Sequence, residues 1–91
     1  MKIVIAGIEF DHFHYDDRGD VLYLSVAPPR EPAEAFETGE GHNVEYDEHG
    51  KVIGLVLYGV RHTLDRDGEL RLTWPPAHLA AGALEPALAA A

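Results

Sequence analysis

A turn pattern that occurs three times is the feature of this chain that most restricts its fold. Each copy has Asp, two variable residues, Gly, a charged residue and then β-forming apolar residues, and the copies span residues 15–22, 46–53 and 64–70. An Asp carboxylate accepts hydrogen bonds from N–H groups inside a turn, and Gly takes the positive φ that ends a bulged type I turn. Each copy therefore predicts a β-hairpin.

The segments between these turns predict a mainly β fold. β-Branched and aromatic residues favour strands over residues 2–6, 8–15, 21–26, 34–38, 43–46, 52–58 and 71–74. The Ala- and Leu-rich residues 76–91 predict a C-terminal helical tail, which Gly82 and Pro86 interrupt. We therefore expect a single domain over residues 1–91, with an antiparallel β-meander of five or six strands built from repeated hairpins, and a short C-terminal helix.

Two of the predicted strands are apolar on both faces. Residues 52–58 alternate nowhere between apolar and polar side chains, and residues 21–26 hardly do. A sheet with one solvated face should alternate, so both faces of the sheet centre need cover. The C-terminal helix can cover one face, and no other segment is long enough for the second. We therefore expect a homo-oligomer, most simply a dimer that pairs sheets or edges.

Composition excludes several classes of function. The net charge of −9 argues against nucleic acid as a partner, because phosphate binding needs clustered Lys and Arg. The absence of cysteine excludes disulfides, thiolate zinc sites and cysteine nucleophiles. No apolar run is long enough to span a bilayer, so we expect a cytoplasmic protein without a membrane partner. The scarcity of Gln, Asn and Met fits a heat-adapted source, and equally a GC-rich genome.

The first two turn copies lie within longer motifs. Residues 15–24 read Tyr-Asp-x-x-Gly-Asp-Val-Leu-Tyr-Leu, and residues 43–57 read Asn-Val-x-Tyr-Asp-x-x-Gly-Lys-Val-Ile-Gly-Leu-x-Leu. With these motifs the chain resembles, over about residues 14–62, a small bacterial and archaeal family called domain of unknown function 2283. The chain departs from the family pattern at Val56, where many relatives have Glu. The resemblance implies a small mostly-β domain with no established activity or catalytic residues. Some relatives are encoded beside small toxin-like proteins, which implies an antitoxin-like binding role.

His12 and His14 are the candidate metal ligands. Side chains at i and i+2 of a strand project from one face, where two imidazoles can share Zn²⁺ or Ni²⁺. The third ligand would be His42, His49, His62 or a carboxylate. The alternative interpretation is an ordinary exposed strand face.

Acidic residues cluster at the first two turns. Asp16, Asp17 and Asp20 lie at the first, and Asp47 and Glu48 at the second. They suit a cation site or an acid–base pair, but they lack the spacing and the closing bidentate Glu of a calcium-binding loop. We interpret them as solvated turn residues.

The acidic charge is concentrated in one stretch. Residues 30–51 hold seven acidic and two basic side chains, and Glu31, Glu34, Glu37 and Glu40 recur every third position. Such a stretch can attract a basic partner, for instance a small basic toxin or ribonuclease. It can equally be a solubilising loop whose charges protect a strand edge from aggregation.

These observations favour a non-enzymatic protein-interaction module that self-associates and binds a basic protein partner in an antitoxin-like manner. The alternative is a small metal- or ligand-binding protein that uses His12 and His14. We expect no cofactor and no catalytic residue, since the single serine, Ser25, lies within a predicted strand and outside any Gly-x-Ser-x-Gly sequence.

Overall fold

The fold consists of three antiparallel sheets and two helices. The protein is described by a computed structural model, in which residues 2–89 are placed. The elements in chain order are β1 (Ile3–Ile5), β2 (Ile8–Phe10), β3 (His12–Asp16), β4 (Val21–Ser25), β5 (Glu34–Glu37), β6 (Asn43–Tyr46), β7 (Val52–Tyr58), α1 (Val60–Asp67), β8 (Glu69–Leu72), β9 (Ala77–Ala80) and α2 (Ala81–Ala89). The predicted mainly β, antiparallel class with a C-terminal helix is confirmed.

The largest sheet has five strands in the order β3-β4-β7-β6-β5. Hairpins join β3 to β4 and β6 to β7, as the first two copies of the repeated turn predict, and a further hairpin joins β5 to β6. The sheet departs from a simple meander at one point, because β4 pairs with β7 and the chain crosses to the far edge to form β5. The order β4-β7-β6-β5 is that of a Greek key. It places the two most apolar strands side by side in the middle of the sheet.

One face of this sheet forms the core. Leu22 lies opposite Leu57 and Leu24 opposite Leu55, and all four side chains are buried. The β1–β2 hairpin, the β8–β9 pair and both helices supply the apolar side chains that complete the cluster, among them Ile5, Phe10, Leu64, Leu70 and Leu84. The C-terminal helix therefore covers this face together with three other parts of the chain.

The prediction of one continuous strand over residues 8–15 is wrong, because this segment forms two strands that belong to different sheets. β2 pairs with β1 and β3 pairs with β4, and Asp11 separates them. Ala6 and Gly7, with φ of 52° and 79°, turn β1 directly into β2. Positive φ at both central residues is the requirement of a two-residue type I′ hairpin loop, so β2 belongs with β1.

The hairpin predicted at the third turn copy is wrong, since this copy ends a helix. Val60 and Leu64, four positions apart on α1, are both buried, which is helical spacing. Gly68 has a φ of 76° and its N–H donates to the Leu64 carbonyl at 2.8 Å, so it caps the helix C-terminus. The Asp-x-x-Gly sequence therefore ends a helix, and not a strand, where the residues before it place apolar side chains at helical spacing.

The first two copies are turns, but they differ in which residue takes positive φ. Gly50 does so in the second turn, with a φ of 76°, as predicted. In the first turn the positive φ of 55° falls on Asp20 and not on Gly19, which corrects that prediction. Asp is one of the few residue types that tolerate this conformation.

The C-terminal region begins with a strand, which corrects the helical tail predicted over residues 76–91. Residues 77–80 form β9 on β8, and α2 follows from Ala81 to Ala89. Gly82 and Pro86 lie inside α2, so they do not interrupt it as predicted. The buried Leu84, Ala87 and Leu88 hold the helix on the core. Residues 90 and 91 of the predicted tail lie outside the described residues, and no helix within residues 2–89 has the length and apolarity to cross a membrane.

Asp20 joins the first hairpin to α1. Its carboxylate accepts hydrogen bonds from the Tyr15 hydroxyl at 2.6 Å and from the N–H groups of Arg61 and His62 at 2.8 and 3.0 Å. Burial opposes ionisation of Asp20, but these hydrogen bonds outweigh it and lower its pKa. Burial and the hydrogen bond between its hydroxyl and Asp20 raise the pKa of Tyr15 to about 12. Asp20 thus caps, from another part of the chain, a helix whose own cap residue Gly59 has no side chain.

We predict that Asp20→Ala lowers the free energy of unfolding by about 3 kcal/mol, because it removes a helix cap, a charged hydrogen-bond acceptor and a residue suited to positive φ. Asp20→Asn keeps the conformation and a neutral acceptor, so it should lose clearly less. Urea denaturation of both variants measures the difference. A loss below about 0.5 kcal/mol for Asp20→Ala would contradict this role.

Candidate functional site

The acidic stretch forms the outer hairpin of the five-stranded sheet. Among residues 2–89, β5 is the edge strand of this sheet and pairs with β6 alone, from Glu34 opposite Tyr46 to Glu37 opposite Asn43. All four residues of β5 are exposed. Phe36 is 58% exposed and contacts the Tyr46 ring edge-on, with 5.7 Å between centroids. The hairpin therefore presents a whole strand, with one aromatic side chain, at the edge of the molecule.

The outer side of β5 carries backbone groups that pair with no other strand in the described part of the chain. The Thr38 N–H donates to the His42 carbonyl across the hairpin, at 2.6 Å. Successive residues of an antiparallel strand direct their backbone groups to alternate sides. The N–H and C=O groups of Ala35 and Glu37 therefore point away from β6, where another strand can pair with them.

The four glutamates named from the sequence do not share one surface. Glu34 and Glu37 are an odd number of positions apart on a strand, so they project from opposite faces, and Glu31 lies exposed in the preceding loop. Both carboxylate oxygens of Glu40 accept hydrogen bonds from Thr73, from its hydroxyl and from its N–H, the latter at 3.0 Å. These bonds lower the pKa of Glu40 to about 2. Glu40 thus braces the hairpin, and Glu31, Glu34 and Glu37 carry the charge of the edge.

His42 is the second brace of this hairpin. It is 4% exposed, and its Nδ1 accepts a hydrogen bond from the Tyr58 N–H at 3.0 Å. Burial lowers the pKa of His42 despite the charge of nearby Glu40. The neutral ring therefore carries its proton on Nε2, which leaves neither nitrogen as a lone-pair donor for a metal. His42 has a structural role at the end of β7 and not that of the third ligand considered from sequence.

The acidic turn residues also serve the fold, as their turn interpretation predicts. Asp47 Oδ1 accepts hydrogen bonds from the N–H groups of His49 and Lys51 at 2.8 and 2.9 Å. Asp16 Oδ1 accepts from Arg18 and Gly19 at 3.1 and 3.4 Å. Their carboxylates fix the turns that set the hairpin registers.

His12 and His14 lie on β3, at the opposite edge of the same sheet, and project from one face as predicted. His12 Nδ1 lies 2.7 Å from Asp11 Oδ1, and His14 stacks on Tyr23 with 6.1 Å between ring centroids. No group of three or more His, Asp or Glu side chains suited to a metal occurs within residues 2–89. The metal site therefore stays a prediction, with His12 and His14 as its two ligands.

The sheet face opposite the core holds a cleft of about 560 Å³ that sequence reasoning missed. Tyr23 and Val56 line it, and the Glu45 carboxylate lies over Gly54, in the space that a larger side chain would fill. The two histidines of β3 and the loop of residues 27–30 also contribute. The signal in the sequence is Gly54, a single glycine inside an apolar strand.

Comparison with known proteins identifies one family. Residues 12–61 match the family described as protein of unknown function (DUF2283), which is more than half of the chain. The matched range holds β3 to β7 and the first residues of α1, and it confirms the resemblance drawn from the turn motifs. No curated protein and no solved structure matches the chain significantly.

We predict a pH dependence of stability that His42 causes. Because the folded state lowers the pKa of His42, the unfolded chain binds its proton more readily, so stability falls as the pH drops below about 6.5. In His42→Asn the side-chain oxygen can still accept from Tyr58 but does not titrate. The stability difference between wild type and variant, from urea denaturation at about pH 7.5 and 5, should therefore shrink at the lower pH. A difference that is constant or grows on acidification would show that His42 is not the cause.

Proposed function

We propose that this chain, which belongs to the DUF2283 family, is a non-enzymatic protein-interaction module whose edge strand β5 accepts a strand from a basic partner protein. The observation that carries the proposal is the exposed strand β5, which has acidic side chains on both faces and whose outer edge pairs with no strand within residues 2–89. We place the encounter in the cytoplasm. An antitoxin that binds a small basic toxin is one form that such binding takes.

Backbone pairing supplies the first part of the recognition. In strand addition, an extended segment of a partner extends an existing sheet, and main-chain hydrogen bonds provide affinity. Ala35 and Glu37 offer two N–H and two C=O groups in the plane of the sheet. The partner segment therefore needs an extended conformation, but the backbone pairing itself requires no particular amino-acid sequence.

The acidic side chains at the edge of β5 make the binding selective for a basic partner. Glu31, Glu34 and Glu37 make no ion pair and no side-chain hydrogen bond within residues 2–89, so their charges are available to a partner. In a chain of net charge −9, the same side chains repel a second copy that approaches edge to edge. A strand rich in Lys or Arg is attracted instead, and long-range attraction speeds its association.

Phe36 supplies an apolar anchor. It is more than half exposed, and Tyr46 supports it from the neighbouring strand. Exposed aromatic side chains at the centre of a contact carry a large share of binding energy. A partner segment with an apolar side chain opposite Phe36 would bury both.

The hairpin is fixed before any partner arrives. Glu40 ties the β5–β6 turn to Thr73, and His42 ties it to Tyr58 at the end of β7. A rigid edge loses little conformational entropy on binding, which favours affinity.

We predict that the full chain binds a synthetic peptide of alternating lysine and valine, and binds an alternating glutamate–valine peptide far more weakly. Ala35→Pro removes an outward N–H and should weaken the lysine peptide about 10-fold, whereas Ala35→Thr keeps the N–H and should not. Glu31→Gln with Glu34→Gln should reduce both the affinity and its dependence on salt. Isothermal titration calorimetry measures each affinity, and circular dichroism checks that each variant is folded.

Equal binding of the two peptides would refute the proposed charge selection. Equal affinity of Ala35→Pro and Ala35→Thr for the lysine peptide would refute strand addition at β5.

The second candidate function is metal binding by His12 and His14, and the contact between Asp11 and His12 favours it. A carboxylate that accepts from one imidazole nitrogen orients the other nitrogen for a metal. We predict that a site of this kind would raise the melting temperature with Zn²⁺ or Ni²⁺, and that His14→Ala would abolish the shift. No shift with either ion in the wild-type protein would refute it.

A further inference from the structure

The cleft on the sheet face opposite the core has the size and the lining of a small-molecule site. Its volume of about 560 Å³ lies within the range of about 300–1,000 Å³ that is typical of ligand pockets. Val56, which is 8% exposed, belongs to its floor, and the ring of Tyr23 is 45% exposed beside it. Pro28 and Pro29, in the loop after β4, add an apolar wall. The cleft can therefore enclose a flat apolar group.

The cleft holds a carboxylate that has no partner in the described part of the chain. Glu45 is half-buried, and it makes neither an ion pair nor a side-chain hydrogen bond there. Two basic side chains that line the same cleft already have acidic partners. Arg30 lies 3.5 Å from Glu48, and His12 Nδ1 lies 2.7 Å from the carboxylate of Asp11. Because a carboxylate that loses hydration without a partner is unfavourable, a cation in the cleft would stabilise Glu45.

Gly54 provides the space in which this carboxylate lies. A Cβ atom at position 54 would meet Glu45 Oε1 closer than van der Waals contact allows, and would lie 3.2 Å from the Leu24 carbonyl oxygen. A glycine inside a strand often marks a place where a ligand or another group approaches the backbone closely. The absence of a side chain at position 54 therefore keeps the Glu45 carboxylate inside the cleft.

The hydrogen-bonding groups around Gly54 are acceptors. Ser25 lies opposite Gly54 in the register of β4 and β7, and it also lines the cleft. Its hydroxyl donates to the Ala27 carbonyl, so its oxygen is left to accept. The ionised Glu45 carboxylate can only accept. This end of the cleft therefore suits a cationic group with several N–H donors and repels an anion.

We propose that this cleft binds a small organic cation in which a short chain joins an aromatic ring to an ammonium group. The ammonium group donates to Glu45 and Ser25. The ring packs on Tyr23 and Val56, which lie opposite one another two positions along the strands from the Ser25–Gly54 pair. Two positions correspond to about 6.6 Å at a rise of about 3.3 Å per residue, which is the span of a ring and an ammonium group joined by two carbons.

This inference goes beyond the proposed function, because it concerns a cleft and a small molecule instead of the edge of β5 and a protein. The test is a titration of the full chain with phenylethylammonium chloride, followed by amide chemical shifts. We expect saturable binding that shifts the amides of Ser25 and Gly54. Phenylacetate, which has the same ring and a carboxylate, should bind far more weakly. No saturable binding up to about 10 mM, or equal binding of phenylacetate, would overturn the proposal.

Two variants test the part of Glu45. Glu45→Gln keeps the shape and removes the charge, so it should weaken binding at least about 10-fold. Gly54→Ala keeps the charge but displaces the carboxylate, and should also weaken binding. The matched control is Glu9→Gln, which changes the net charge equally at an exposed position of β2 outside the cleft and should bind as the wild type does. Circular dichroism checks each fold, and wild-type affinity in Glu45→Gln would overturn the proposal.

The lysine–valine peptide separates this result from the proposed function. Glu45→Gln should still bind the peptide, and the variant with both Glu31→Gln and Glu34→Gln should still bind phenylethylammonium. Loss of both ligands in a folded Glu45→Gln protein would overturn the proposal of a separate site.

Discussion

The pairing of β4 with β7 determines the arrangement of the whole molecule. Leu22 and Leu24 meet Leu57 and Leu55 on one face, and the rest of the core is built against them. Because both strands are apolar, they occupy the middle of the sheet, and the less apolar β3 and β5 become its edges. The exposed acidic edge, the histidine edge and the open face between them all follow from this pairing.

Polar side chains fix the elements around that centre. Asp20 links the first hairpin to α1, and Arg61 continues the link to α2 through a bidentate pair with Glu85 at 2.5 and 3.1 Å. Glu40 and His42 fix the β5–β6 hairpin to the rest of the molecule, through hydrogen bonds from Thr73 and Tyr58. Several acidic residues that resemble a binding surface in the sequence are therefore parts of the fold. What they leave exposed is a short, rigid edge where Glu31, Glu34 and Glu37 have no ion-pair or hydrogen-bond partner among the described residues.

Much of the fold could be predicted from the sequence, because turn chemistry and strand periodicity are local. The turns at Asp16 and Asp47 and the two-faced strand β7 are of this kind. The third Asp-x-x-Gly copy does not form the predicted hairpin, because the same sequence occurs at hairpins and at helix ends, and only the spacing of Val60 and Leu64 distinguishes the two. The crossing from β4 to β5 depends on long-range packing, which no local pattern records. The separation of β2 from β3 follows instead from the two-residue turn at Ala6 and Gly7, which pairs β2 with β1. The candidate site could be predicted only in part, because the recurrence of glutamate at every third position does not indicate which carboxylate accepts a hydrogen bond from Thr73.

Amide hydrogen exchange with and without the lysine–valine peptide tests the central claim most directly, because it reports individual backbone groups. The account predicts that the Ala35 and Glu37 amides, for which residues 2–89 supply no acceptor on the outer side of β5, exchange more slowly when the peptide is bound. The amides of β3 at the opposite edge should not change. Protection on β3, or none on β5 under conditions where the peptide binds, would contradict the account.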